Sequence, residues 1–237
     1  MNCEGPLSLI VALDYSDLAS CRKLLEELRG LVKIYKIGSE LFTAHGWQAV
    51  ELVKKSGAEV FLDLKLHDIP TTVARTSRVI ARHGVLMFNV HSLGGLQMMR
   101  AARSAVEEEC RNSRKPILLG VTILTSLEEN VLSQELGITR PLRDEVVSLA
   151  GLVKEAGLDG VVASPEEIEI LRTKFGKEFV IVTPGIRPAD SDANDQRRSL
   201  TPREAVERGA SYLVVGRPIT AAPSPQQATR EILQSLA

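Results

Sequence analysis

Asp63 and Lys65 stand two residues apart in the segment Val60-Phe61-Leu62-Asp63-Leu64-Lys65-Leu66-His67-Asp68. On an extended backbone that spacing points both side chains to one side and turns Leu62 and Leu64 to the other. A polar–apolar alternation thus opens at the end of an apolar run. Burying a carboxylate and an ammonium without partners is costly, so partners are expected. Lys36, in Ile34-Tyr35-Lys36-Ile37, and Asp68 are the candidates. In an alternating chain of Lys and Asp, each charge favours the ionised form of its neighbours. Two readings stay open on spacing alone. One is a structural ion-pair network. The other is a catalytic cluster in which a fixed ammonium meets a developing negative charge.

A second group lies late in the chain, in Thr183-Pro184-Gly185-Ile186-Arg187 and Val215-Gly216-Arg217-Pro218. Gly216 lets a backbone approach closely, and Arg217 offers a planar fork for phosphate oxygens, so a phosphate is favoured over a plain turn. Weaker candidates surround these. Asp14 ends the first apolar run. His91 ends another and could face a site, although a structural histidine is the better reading. His67 points opposite to its immediate neighbours if the strand persists. His45 and His83 read as surface or packing groups, and Gly94-Gly95 fits a loop-to-helix turn as well as a ligand approach. No His, Cys, Asp or Glu cluster has metal-ligand spacing, so no metal is predicted.

Short β-rich runs recur at 7–13, 34–37, 60–64, 87–90, 117–122, 160–163, 179–183 and 212–215. Most are continuously apolar, which suits parallel strands covered on both faces. Helical stripes lie between them, as in Leu18, Cys21, Leu25 and Leu28, or Leu142, Val146, Leu149, Val153 and Ala156. Ser164-Pro165-Glu166-Glu167, Thr201-Pro202-Arg203-Glu204 and Ser224-Pro225-Gln226-Gln227 each read as a capping box with Pro at the first helical position. Strand–helix units repeated along the whole chain predict a (β/α)₈ TIM barrel, one domain over 1–237. The rival, a doubly wound open sheet, lacks a G-x-G-x-x-G after its first strand. In a barrel, function collects at the C-terminal strand ends, and the loops after strands seven and eight cradle phosphate with backbone N–H groups. Both charged groups fall at such places.

Composition narrows the partners. The 237 residues are 44% hydrophobic, with 29 Lys and Arg against 30 Asp and Glu and a net charge of −1. No basic field is available for a nucleic acid backbone, and an aromatic content of 4% argues against a base-stacking platform. The three cysteines are widely separated and form no disulfide framework. With no stretch long enough for a membrane span and no basic leader, the expectation is a cytoplasmic protein.

The segment Phe61-Leu62-Asp63-Leu64-Lys65-Leu66-His67-Asp68-Ile69-Pro70-Thr71-Thr72 resembles the orotidine 5′-phosphate decarboxylase family in its bacterial form. Ala12-Leu13-Asp14, Lys36-Ile37-Gly38, Asn89-Val90-His91, Leu124-Thr125-Ser126, Pro184-Gly185-Ile186-Arg187, Asn194-Asp195-Gln196 and Gly216-Arg217 carry the same resemblance along essentially the whole chain. It implies decarboxylation of orotidine 5′-monophosphate (OMP) to UMP in pyrimidine synthesis, without a cofactor. It implies Lys65 as the proton donor, with Asp63, Lys36 and Asp68 completing the charged set. Asp14 and Lys36 would hold ribose hydroxyls, Thr125 the pyrimidine, and Gln196, Gly216 and Arg217 the phosphate. Arg187 would sit at the hinge of a mobile phosphate-gripping loop over 184–199. It further implies a homodimer in which Asp68, Ile69 and Thr72 reach into the partner's site. The nearest alternatives are a 3-keto-L-gulonate 6-phosphate decarboxylase or a hexulose phosphate synthase, which share the Asp-x-Lys-x-x-Asp spacing but use a divalent metal. A non-catalytic nucleotide-binding barrel is the alternative from another class.

Overall fold

A computed structural model describes residues 8–187 and 200–236. Its strands are β1 (Ser8–Ala12), β2 (Ile34–Gly38), β3 (Glu59–Leu66), β4 (Met87–His91), β5 (Ile117–Val121), β6 (Gly160–Val162), β7 (Val180–Thr183) and β8 (Tyr212–Val215). They pair in parallel in chain order, and β1 pairs with β8, closing an eight-stranded barrel. The helices are α1 (Leu18–Glu27), α2 (Ser39–His45), α3 (Trp47–Lys55), α4 (Pro70–Arg82), α5 (Gly95–Glu109), α6 (Glu129–Gln134), α7 (Leu142–Glu155), α8 (Ile168–Phe175), α9 (Pro202–Glu207), α10 (Arg217–Thr220) and α11 (Pro225–Ser235). Among the described residues no helix is long and apolar enough to cross a membrane.

The two-residue period of each strand divides its side chains between two cores. Ile10, Ile34, Phe61, Met87, Leu119 and Val214 point inward and fill the barrel. Val11, Tyr35, Leu62, Phe88, Val161 and Leu213 point outward and meet the helices. This double burial is the reason the strand runs are continuously apolar. The predicted strand boundaries agree with those found to within a residue or two, and β3 differs most. It runs on to Leu66, past the expected end at 64.

The extension has a physical cause. Leu62 pairs with Phe88 and Leu66 with Val90, so four residues of β3 advance against two of β4 and the register slips between them. Inside this bulge Lys65 adopts φ +50°, the only left-handed non-glycine among the described residues. Such a conformation costs on the order of 1–3 kcal/mol and persists only where surrounding contacts impose it. Bulges re-aim side chains at strand ends, and this one turns the Lys65 side chain toward Asp63 at the barrel mouth.

The three expected capping boxes form to different degrees. Thr201 accepts from the Glu204 N–H while the Glu204 carboxylate accepts from the Thr201 N–H, a complete box. Ser224 accepts from the Gln227 N–H, but the Gln227 carboxamide donates to Glu231 one turn on, so that box is half made. Ser164 accepts from the Glu166 N–H and opens a 3₁₀ turn over Pro165–Glu167 before α8 begins.

At the opposite end of the barrel, Arg172 of α8 fastens the starts of the last two strands. Its guanidinium donates to the carbonyls of Gly176, Lys177 and Phe179 just before β7, at 2.6, 2.9 and 2.8 Å. It also donates to the Gly209 carbonyl and the Ser211 hydroxyl just before β8, at 2.7 and 3.1 Å. Removing it strands several acceptors together. Arg172→Ala is expected to cost about 3 kcal/mol and lower Tm by about 10 °C in a chain of this size. A thermal melt that superimposes on wild type would show that the clasp contributes nothing.

Candidate active site

All eight strands are parallel, so their C-terminal ends share one face. Asp14 follows β1, Lys36 lies on β2, and Asp63 and Lys65 lie on β3. Their inward positions follow from the strand period: Ile10, Ala12 and Asp14 are two apart, as are Ile34 and Lys36, and Phe61 and Asp63. Lys65 Nζ meets Asp63 Oδ1 at 2.8 Å, Lys36 Nζ meets Asp63 Oδ2 at 3.6 Å, and Lys36 Nζ also meets Asp14 Oδ1 at 3.2 Å. One carboxylate therefore faces two ammonium groups, and one ammonium faces two carboxylates.

Burial pushes the Asp63 carboxyl upward, but Lys36, Lys65 and hydrogen bonds from Lys65 and Asn89 outweigh it and hold the group below the usual carboxylate range. The Asp63 side chain is 12% exposed and that of Lys36 13%, while Lys65 is 36% exposed and reaches toward the opening. The more exposed of the two ammonium groups is thus that of Lys65.

The opening is a cavity of about 530 Å³. Asp14, Lys36, Asp63, Lys65, Thr125, Arg187, Gly216 and Arg217 all line it. Thr125 comes from the segment after β5 together with Leu124 and Ser126. Arg187 follows β7, and Arg217 opens α10 after β8. Arg187 is almost wholly buried, and its N–H donates to the Leu200 carbonyl at 3.0 Å. A side chain at Gly216 would put its Cβ 3.3 Å from Asp14 Oδ2, and one at Gly38 would sit 3.2 Å from Lys36 Nζ. These glycines leave room for the charged pair.

Other predicted residues lie elsewhere. Asp68, Ile69 and Thr72 follow β3 on the outer surface and do not line the cavity of their own chain. Asp68 was a candidate partner for the lysines on spacing alone. Instead its carboxylate accepts from the Ile69 N–H at 2.6 Å, because β3 ends at Leu66 and the chain turns away toward α4. Ile69 is 65% exposed, the most exposed of the large hydrophobic side chains among the described residues. Gln196 and residues 188–199 of the expected loop lie outside the described residues. Among the described residues no group of three or more His, Cys, Asp or Glu side chains is placed to hold a metal ion.

His91 stacks on His67 with ring centroids 5.4 Å apart and accepts from the Leu93 N–H through Nδ1. Neither imidazole lines the cavity. Asn89 is a site residue that residue type and spacing do not single out. It is fully buried on β4 and donates to Asp63 Oδ1 at 2.7 Å. Its signal was a carboxamide inside the apolar run Met87-Phe88-Asn89-Val90.

A (β/α)₈ barrel that gathers an ionised cluster at its strand C-termini, with arginines after strands seven and eight, has the layout of the barrel enzymes. The sequence model of the Orotidine 5'-phosphate decarboxylase / HUMPS family matches residues 8–232, and the chain belongs to that family. The orotidine 5′-phosphate decarboxylase of Moorella thermoacetica is 54% identical over 226 residues, 94% of this chain and 90% of that protein. That of Geotalea daltonii is 47% identical over 233 residues, 98% and 97% of the two chains. The crystal structure of the Lactobacillus acidophilus orotidine 5′-phosphate decarboxylase superimposes with a TM-score of 0.86 at 38% identity, covering 97% of this chain and 98% of that one.

Burial, His67 and Lys65 together lower the His91 pKa from 6.5 to about 4. The unfolded chain therefore binds a proton near pH 6.5 that the folded chain refuses. The resulting stability is fully present above pH 6.5 and is lost as pH falls toward 4. Asp63, held below the usual range, loses its own contribution only at lower pH. The urea midpoint of the wild type is expected to fall between pH 7 and pH 4.5, and His91→Gln to flatten that fall. Parallel curves for the two proteins would remove His91 as the cause.

Proposed function

We propose that the chain decarboxylates orotidine 5′-monophosphate to UMP without a cofactor, and that Lys65 is its proton donor. The observation that carries this reading is the Lys65 ammonium, fixed 2.8 Å from Asp63 beside an open cavity. Loss of CO₂ breaks the bond between the ring carbon and its carboxylate and leaves the electron pair on that carbon, in the ring plane. No neighbouring π system overlaps that lone pair. A fixed ammonium at the carbon favours the localised anion over the delocalised carboxylate of the ground state. Lys65 then transfers a proton to the carbon, completing UMP, and the neutral amine recovers its proton from solvent.

The remaining cavity residues suit the rest of the nucleotide. Asp14 and Lys36 offer an acceptor and a donor to ribose hydroxyls, and Thr125, on the cavity wall, offers its hydroxyl to the pyrimidine. Gly216, Arg217 and Arg187 line the same cavity and suit the phosphate. Phosphate binding far from the breaking bond supplies energy that can be used at the reacting carbon.

The reading includes a homodimer. Asp68, Ile69 and Thr72 are exposed beside the mouth, and a second copy seated there would carry them to its neighbour's cavity. Asp68 of each copy would then complete the charged set around the other's Lys65. A mostly exposed isoleucine flanking a charged mouth suits burial against a symmetric mate.

The central test follows OMP by its absorbance, with and without EDTA. Turnover that survives chelation is expected. Turnover abolished by EDTA and restored by a divalent ion would instead support a metal-dependent reaction. Tight UMP binding with unchanged OMP absorbance would leave only a binding barrel. Lys65→Ala is expected to fall below about a hundredth of wild-type kcat while keeping its circular dichroism spectrum. Arg217→Ala should lower kcat/KM, and a value matching wild type would dismiss the phosphate role. Co-refolding of the inactive Lys65→Ala and Asp68→Ala chains should restore about a quarter of wild-type activity, since half the dimers regain one intact site. Mixtures as dead as their parents would count against shared sites.

A further inference from the structure

We infer that Asn89 is a positioning residue that sets the aim of the Lys65 ammonium. It rests on the reading of Lys65 as the proton donor. The side chain is fully buried at the centre of β4, where an unbonded carboxamide would be costly. Both its ends are used, one on each of two residues that pair with each other. Oδ1 accepts from the Lys65 backbone N–H at 2.8 Å. Nδ2 donates to Asp63 Oδ1 at 2.7 Å. That oxygen also accepts from Lys65 Nζ at 2.8 Å.

The partners dictate which way the carboxamide faces. A backbone N–H can only donate and an ionised carboxylate can only accept, so a flipped amide would lose both bonds. Asn89 thus grips Lys65 at its backbone and, through Asp63, at its side-chain tip.

The place of the grip matters. Lys65 has φ +50° inside the bulge where the β3–β4 register slips between Leu62 and Leu66. Asn89 receives its N–H there from the side, and so stabilises a backbone conformation that non-glycine residues disfavour. Without the carboxamide, Lys65 can relax toward an ordinary strand conformation. Its ammonium then swings off the line set by Asp63. A residue acting in this way influences the transition state through Lys65 while touching no substrate, so turnover should respond and substrate affinity should not.

Asn89→Ala is the test, with steady-state OMP kinetics and amide hydrogen exchange as the readouts. The expected result is a fall in kcat of about tenfold or more with KM changed less than about threefold. Exchange of the Lys65 amide should quicken at least about tenfold, while that of β1 stays as in wild type. A kcat within about threefold of wild type overturns the inference, and so does a Lys65 amide that exchanges at the wild-type rate. If Asn89→Ala does not fold, Asn89→Ser is judged by the same criteria. The wild-type protein supplies a further check, because an unprotected Lys65 amide overturns the inference without any variant. Lys65→Ala assayed alongside separates the two failures. Retained activity there removes the role given to Lys65, whereas lost activity there with an indifferent Asn89→Ala removes only the role given to Asn89.

Discussion

The carboxylate of Asp63, one oxygen toward Lys36 and the other toward Lys65, is the interaction on which the site depends. At an effective dielectric near 20 each contact is worth roughly 5 kcal/mol of gross attraction. Desolvating ions costs several kcal/mol apiece, so the net is far smaller. What the arrangement secures is geometry. A buried anion between two cations has little freedom to move, and the cation nearer the opening inherits that fixity. The barrel supplies this, because closure brings the C-terminal ends of β1, β2, β3 and β4 to one mouth while both faces of each strand are covered.

The charged mouth and the packed body of the barrel answer to different constraints. Below the mouth, Phe61 and Met87 obey the strand period and contribute burial. At the mouth the same two strands break register, accept a left-handed lysine and bury an asparagine. Departures from local rules concentrated at one place are expected where chemistry, rather than stability, selects the conformation. The opposite end shows the contrary case. There Arg172 spends its guanidinium on backbone carbonyls and a hydroxyl, fastening strand starts.

Much of this was legible in the residues. The strand runs gave their positions away because both faces are buried, which leaves continuous apolar stretches. The two-residue spacing of Asp63 and Lys65 correctly put both at the mouth beside Lys36. The route differed, however, because periodicity assumes an even backbone and contains no sign of a bulge. The place of Asp68 within its own chain was not legible either. Three residues from Lys65, it would leave the inward face of a continued strand; the chain instead turns into α4, where its carboxylate accepts from the Ile69 N–H. Asn89 was visible as a polar residue in an apolar run, but its meaning depends on a cross-strand neighbour that one segment cannot reveal. Of the three capping boxes, the one at Ser224 is half made because Gln227 bonds Glu231, and the one at Ser164 opens a 3₁₀ turn; a four-residue motif encodes neither outcome.

The seam between β1 and β8 bears on how the molecule is made. Leu9 pairs with Leu213, so the ladder that closes the barrel joins residues from nearly opposite ends of the described chain. A nascent polypeptide leaving the ribosome can assemble the intermediate strand–helix units one after another, but β1 must wait with one edge unpaired until β8 emerges. Loop-closure entropy makes so distant a contact slow to form. During that interval the waiting edge is a ready template for a neighbouring chain. Translation speed through the last third of the message, and chaperone cover over the first strand, therefore bear on yield in a way that no property of the finished barrel would reveal.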